Sequence, residues 1–180
     1  MAELSKPKIL LLSGKAQHGK DSSANIFKKY FDDHNKKSII LHYGDILKFV
    51  SSKYFGASIE KNKESRSIWQ YVGTDLARKH YSTIWVDIVI LFAKALFFDY
   101  DYIVIADFRF PDEYHQWKKD GYDATTIRII RLNFDNGLTL EQQSHLSEIS
   151  LDDFNFDYVV ESESGLEYLE VEIEKVIKNL

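Results

Sequence analysis

The run Lys8-Ile9-Leu10-Leu11-Leu12-Ser13, followed at once by Gly14-Lys15-Ala16-Gln17-His18-Gly19-Lys20, constrains this chain more than any other feature. A continuous apolar run ended by glycine suits a strand buried on both faces of a parallel sheet. From Gly19 to about His34, Ala24, Ile26, Phe27, Tyr30 and Phe31 recur at helical spacing. The order is therefore strand, tight loop, helix. Gly14, Gly19 and Lys20 have the spacing of a phosphate-binding loop. Its glycines let successive backbone N–H groups turn inward, its lysine reaches terminal phosphates, and the helix adds its positive end. The spacing alone arises by chance in roughly one chain in twenty of this length, so the flanking strand and helix carry the inference.

The rest of the chain continues the alternation. Ser38 to His42 reads as a strand and Asp45 to about Phe55 as a helix that Asp45 could cap. The polar stretch from Glu60 to Glu64 reads as a loop, followed by helical patterns over Ser65 to His80 and Ile84 to Phe98. Tyr102 to Ala106 is a buried strand, and Asp112 to Lys119 a short helix closed by Gly121 at the C-cap. Thr126 to Ile130 and Tyr158 to Val160 are further strands. Leu132 to Ser144 reads as a polar connection and Gly165 onward as an acidic closing helix. Helices between strands predict an α/β fold, a parallel sheet covered on both faces, with ligands at the carboxyl ends of the strands.

Composition narrows what such a domain can do. At 180 residues and 44% hydrophobic content, one domain over 1–180 with a single core is expected. A net charge of -5 with interleaved signs leaves no basic stripe, so no nucleic-acid partner is expected. The absence of cysteine excludes disulfides, thiolate metal sites and a cysteine nucleophile, and is compatible with the cytoplasm. The apolar run after Met1 to Pro7 is too short for a signal core or a membrane span, so no membrane association is expected. The oligomeric state is left open, a homodimer being one option.

Single residues carry functional and plain structural readings side by side. Loop lysines normally precede Ser or Thr, whose hydroxyl binds Mg²⁺; here Asp21 stands there and Ser22 follows. Asp21 reads equally as a metal-directed carboxylate or as a first-turn acid stabilised by the helix dipole. Lys15 and His18 sit inside the loop, His18 reading better as solvated. Asp107 ends a strand and Arg109 lies two residues on, so both can face one pocket, as metal and phosphate ligands or as a surface ion pair. Arg66 and Gln70 share a helical face, Arg66 being either a phosphate ligand or a solvated arginine. Trp69 and Trp85 read as core.

Taken together these blocks resemble the phage-type deoxynucleoside monophosphate kinases, within the P-loop kinases of small substrates. Ser13-Gly14-Lys15 with Gly19-Lys20-Asp21 is similar to that family's loop, which also carries Asp after the lysine. Asp45-Ile46-Leu47-Lys48 resembles its Asp-Pro-Leu-Lys without the proline. Arg66 to Asp75 resembles its Arg-x-Leu-x-Gln-x-x-Gly-Thr-Asp helix, followed by a tryptophan, Trp85. Asp107-Phe108-Arg109 stands for its Asp-x-Arg, Arg131 for the arginine ending the next strand, and His145-x-x-Glu148 for its His-x-x-Glu. The animal-type phosphomevalonate kinases share the loop and the Asp-x-Arg element; the Gly73-Thr74-Asp75 helix favours the nucleotide kinases.

The resemblance implies a P-loop kinase fold with a five-stranded parallel sheet, and transfer of the γ-phosphoryl group of ATP to the 5′-phosphate of a deoxynucleoside monophosphate. It implies that the loop from Gly14 through Lys15, Ala16, Gln17, His18, Gly19, Lys20 and Asp21 to Ser22 holds the ATP phosphates. Lys20 would meet the transferring group, and Asp21 and Asp107 would hold Mg²⁺ and its waters. Arg66 and Arg109 would clamp the acceptor phosphate. Asp45, Lys48 and Gln70, with Asp107, would border the acceptor nucleoside, and Arg131 would lie near the ATP base or phosphates. The cytoplasm, or that of a host cell for a viral protein, is the expected compartment. A non-catalytic nucleotide switch is the reading from another class; it lacks the guanine-reading Asn-Lys-x-Asp that such switches display.

Overall fold

The computed structural model describes residues 6–60, 62–163 and 165–180. Met1 to Ser5 ahead of the first strand, and Lys61 of the expected polar loop, lie outside the described residues. The elements run in chain order as follows. The strand β1 is Lys8–Ser13, then α1 Lys20–Asp33, β2 Ser38–Leu41 and α2 Tyr43–Phe55. The helix α3, Lys63–Gln70, continues without a break as a π-helix over Tyr71–Arg78. Next come α4 Ile84–Leu96, β3 Tyr102–Ile105, α5 Pro111–Lys119 and β4 Ala124–Arg131. Two short helices, α6 Leu140–Ser144 and α7 Leu146–Ile149, precede β5 Tyr158–Ser162 and α8 Leu166–Ile177.

All pairings of the five-stranded sheet are parallel, in the order β2-β3-β1-β4-β5. Because β1 lies in the middle, alternate residues feed two cores. Ile9 and Leu11 meet Trp85, Val86, Val89 and Ile90 of α4 and Trp117 of α5, while Leu10 and Leu12 meet Phe27 and Phe31 of α1 and Ile173 of α8. A continuous apolar run is what a strand with helices on both faces requires. The connection leaving β1 travels toward β2 and the one leaving β3 toward β4, on opposite sides. The strand order therefore switches between β1 and β3, and a crevice opens at their carboxyl ends. No helix among the described residues is long and apolar enough to cross a membrane.

Three expectations are corrected. Asp45 does not cap α2, which begins two residues earlier; its first amides, Tyr43 and Gly44, donate instead to the two Asp107 oxygens at 2.9 and 2.8 Å. The expected helix over Ser65 to His80 is capped by the Asn62 side chain, which accepts from the Ser65 amide at 2.8 Å, and its second half is π-helical. The expected polar connection after Leu132 contains α6, which Thr139 caps, and α7 follows it. Gly121 closes α5 as expected, its amide donating to Lys118 O at 3.0 Å.

Candidate functional site

The loop between β1 and α1 is built by backbone geometry. A Cβ on Gly14 would stand 2.5 Å from the Ile129 carbonyl oxygen of β4, so the loop can pass the sheet there only without a side chain. Lys20 opens α1 and folds back over the loop, donating to Gly14 O at 2.7 Å and Lys15 O at 2.8 Å. Burial, with Arg109 adding to it, pushes the Lys20 ammonium down to about 7. A phosphate at the loop would supply the charge that this lysine is short of. His18, its pKa lowered chiefly by burial, accepts from the Arg131 amide at 3.1 Å and meets the Phe134 ring edge-on.

The loop forms one end of a cleft of about 1030 Å³. Ala16, Gln17, Gly19, Lys20, Asp21 and Ser22 line it from that side, and Asp45, Lys48, Asp107 and Arg109 from the strand ends and α2. Arg66, Trp69, Gln70, Gly73, Thr74 and Arg78 line it from the α3 wall. Four predicted residues stand outside it. Gly14 lies under the loop. The Lys15 ammonium donates to Glu148 O at 2.7 Å and ion-pairs with Asp152, and His18 and Arg131 face the Phe134 side, where the Arg131 guanidinium stacks 4.0 Å from the ring centroid.

The π-helical segment explains why so long a stripe of α3 faces the cleft. On an α-helix every fourth residue drifts by about 40°, which over Arg66, Gln70, Thr74 and Arg78 would carry the last of them out of line. A π turn, closed by longer i→i+5 bonds, advances less per residue and reverses the drift. The four therefore stay on one face. Gly73 lets this segment come close to α2, since a Cβ there would meet Leu47 Cδ2 at 2.6 Å, and Trp85 anchors it by donating from Nε1 to Gly73 O at 3.0 Å.

Trp85 packs in the core, as expected, and also borders the cleft; Trp69 belongs to neither core, lines the cleft, and its Nε1 is buried without a hydrogen-bond partner. Arg66 Nε and Gln70 Nε2 share that condition. Three buried donors on one wall, each costly to leave unmet, suit a ligand rich in acceptor oxygens. Arg78, missed by sequence reasoning, lies over the Phe110 ring at 3.8 Å and pairs with Asp112 and Glu113. Glu113, nearly inaccessible and pushed up to about 8 by burial, accepts from the amides of Arg109 and Phe110 at 2.8 and 3.1 Å, and so fixes the Asp-x-Arg turn.

The two guanidiniums meet a carboxylate from α7. Glu148 Oε1 accepts from Arg66 Nη2 at 2.9 Å and Arg109 Nη1 at 2.6 Å. Burial works against the Glu148 charge, but Arg109, Arg66 and Lys20 outweigh it and hold the carboxyl below its ordinary range. In the sequence, Glu148 was visible only as the end of His145-x-x-Glu148; no local pattern announces a buried contact 82 residues from Arg66.

Asp21 and Asp107 both line the cleft, Asp21 on the first turn of α1 beside His42, whose pKa is raised chiefly by that contact. Among the described residues no group of three or more metal-ligating side chains gathers. Two carboxylates near a phosphate loop fit Mg²⁺, a hard cation that takes one or two protein carboxylates and completes its shell with phosphate oxygens and water.

No family model matches the chain, and no curated protein matches it in sequence. Its fold does recur among solved structures. The APS kinase of Mycobacterium tuberculosis, solved in complex with AMPPNP and APS, is 10% identical with a TM-score of 0.56, over 96% of this chain and 98% of that one. TT1252 from Thermus thermophilus is 15% identical with a TM-score of 0.54, over 98% and 99%. At these identities the likeness concerns architecture: the chain has the α/β P-loop kinase fold.

Proposed function

We propose that this chain is an ATP-dependent deoxynucleoside monophosphate kinase, transferring the γ-phosphoryl group of ATP to the 5′-phosphate of the acceptor to give the diphosphate and ADP. The observation that carries the reading is one cleft with two phosphate-seeking ends: the loop with Lys20 at one, and Arg66 with Arg109 at the other. An enzyme joining two phosphates has to bring two anions together, and converging cations make that possible. A similarly folded kinase solved with AMPPNP and APS together supports a cleft of this fold holding two ligands at once.

In this reading the loop amides and Lys20 hold the ATP phosphates, while Arg66 and Arg109 take the acceptor phosphate and offset charge as it spreads over the transferring oxygens. Asp21 and Asp107 would hold Mg²⁺, which when bound neutralises phosphate charge. Asp107 is itself held by the α2 amides, so its direction is set before any ligand arrives. Lys48, paired with Asp45 at 3.2 Å, and the donors of Trp69 and Gln70 border the acceptor's nucleoside. No covalent intermediate is required.

The test is a coupled ADP-release assay across deoxynucleoside and ribonucleoside monophosphates, with mevalonate 5-phosphate included. Turnover with one or more deoxynucleoside monophosphates supports the reading. Turnover with mevalonate 5-phosphate alone would transfer the chain to the phosphomevalonate kinases, and ATP binding without turnover of any acceptor would favour a nucleotide switch.

A further inference from the structure

Glu148 touches both ends of the cleft at once. Its side chain is 1% exposed. Oε1 takes one N–H from each of Arg66 and Arg109, and Oε2 accepts the Ala16 amide of the phosphate loop at 3.2 Å. The backbone reinforces the arrangement: Arg109 Nη1 also donates to Ser147 O at 2.9 Å, and Lys15 Nζ to Glu148 O at 2.7 Å. A charge buried so fully persists only when it is paired on every side, and here two guanidiniums and an amide supply the pairing.

Without that carboxylate, Arg66 and Arg109 would be two cations sharing one partly desolvated space beside Lys20, and mutual repulsion would spread the two flexible guanidiniums apart. With it, both converge on a single oxygen. Each arginine still keeps donors for a ligand, since a guanidinium carries five; on Arg66, the Nε edge is buried without a partner.

We propose that Glu148 is a positioning residue, which holds Arg66 and Arg109 converged on the acceptor phosphate and registers them against the phosphate loop through Ala16. Its catalytic consequence rests on the kinase reading of the cleft. It acts through the arginines and touches no substrate.

Glu148→Gln is nearly isosteric and removes the charge. Some loss of melting temperature is expected, because two buried guanidiniums lose their counter-charge; assayed well below that temperature, kcat/KM for the accepted monophosphate should fall about 10²-fold, the loss expected when reacting groups are misplaced by about an ångström. The loss should lie mainly in kcat, with ADP affinity no weaker than the parent's. Combined with Arg109→Ala, the change should cost less than the product of the two separate losses, because both act on one contact. The second arm needs no acceptor. In ¹⁵N spectra of the ligand-free protein, the Nε–Hε signals of Arg66 and Arg109, assigned through their lysine variants, should be resolved in the parent and collapse toward the solvent-averaged position in Glu148→Gln. Should that variant fail to fold, Glu148→Asp, which keeps the charge but shortens the reach by one methylene, replaces it with the same expectations. Unchanged arginine signals, or fully multiplicative kinetic losses, would overturn the proposal. A parent that turns over none of the acceptors tested removes the kinase reading, and the spectra then decide the positioning alone.

Discussion

The two ends of the cleft are made differently. The phosphate loop is nine consecutive residues from Gly14 to Ser22, shaped by backbone, with its lysine bonded to its own carbonyls. The opposite wall has no such locality: Arg66 on α3, Arg109 after β3 and Glu148 on α7 meet across 82 and 39 residues of chain. A loop of the first kind takes its shape mainly from one strand and one helix, and distant elements only brace it, β4 at Gly14 and Glu148 at Ala16. The second kind exists only when the whole fold is, and only while a buried carboxylate offsets two cations. Binding at the loop should therefore tolerate damage elsewhere, and chemistry at the wall should not.

The sharpest way to break that contrast is at Lys20. Lys20→Ala should lower kcat by about 10³-fold, the upper range for removing one preorganised charge from a transition state, and should abolish most of the rise in melting temperature that ATP with Mg²⁺ gives. A variant that kept both would remove the loop from the mechanism. Next in size is Arg66→Ala, expected to cost about 10²-fold in kcat/KM for the acceptor while leaving ADP binding, read by calorimetry, where it was. Weakened ADP binding would show that the wall and the loop are one unit.

A third substitution asks whether the loop is as self-contained as it looks. Gly14→Ala would place a methyl against the rigid Ile129 carbonyl at 2.5 Å, so the loop or β4 has to move. Destabilisation of about 2 kcal/mol is expected for such overpacking, measured by urea unfolding, with ADP binding lost alongside. A stable Gly14→Ala protein with intact ADP binding would mean the loop has slack that its geometry does not suggest.

The same contrast explains what could be read from sequence. The loop was legible because its spacing, its strand and its helix are contiguous and each has a physical reason. The parallel sheet was legible because Ile9 to Leu12 are apolar on both faces. Asp107 and Arg109 were legible as a pair two residues apart, though not the use of Asp107 as the cap of α2, which depends on where another strand ends. Trp69 misled because an aromatic at helical spacing looks like core; only the assembled fold shows that its face of α3 borders the cleft. Glu148 showed only as the end of His145-x-x-Glu148, and nothing local told of its contacts, since its partners come from three other elements.

The smallest effect is also the most selective. Burial and Arg109 bring the Lys20 ammonium from 10.5 to about 7, so between those values the unfolded chain binds a proton that the folded one does not. From this group alone, stability of the ligand-free protein rises with pH across that window. A bound polyphosphate favours the charged lysine and draws its pKa back up. At pH 8, ATP binding should therefore take up a fraction of a proton approaching one, seen as a dependence of calorimetric heat on the ionisation enthalpy of the buffer. At pH 6 the lysine is already charged and the uptake from this group should vanish. A monophosphate binding at the arginine wall at pH 8 meets guanidiniums that are charged throughout and reaches Lys20 only from beside Arg109, so it should take up a smaller fraction than ATP does. Equal uptake for both ligands would place Lys20 in the service of both ends, and the division between loop and wall would have to be redrawn.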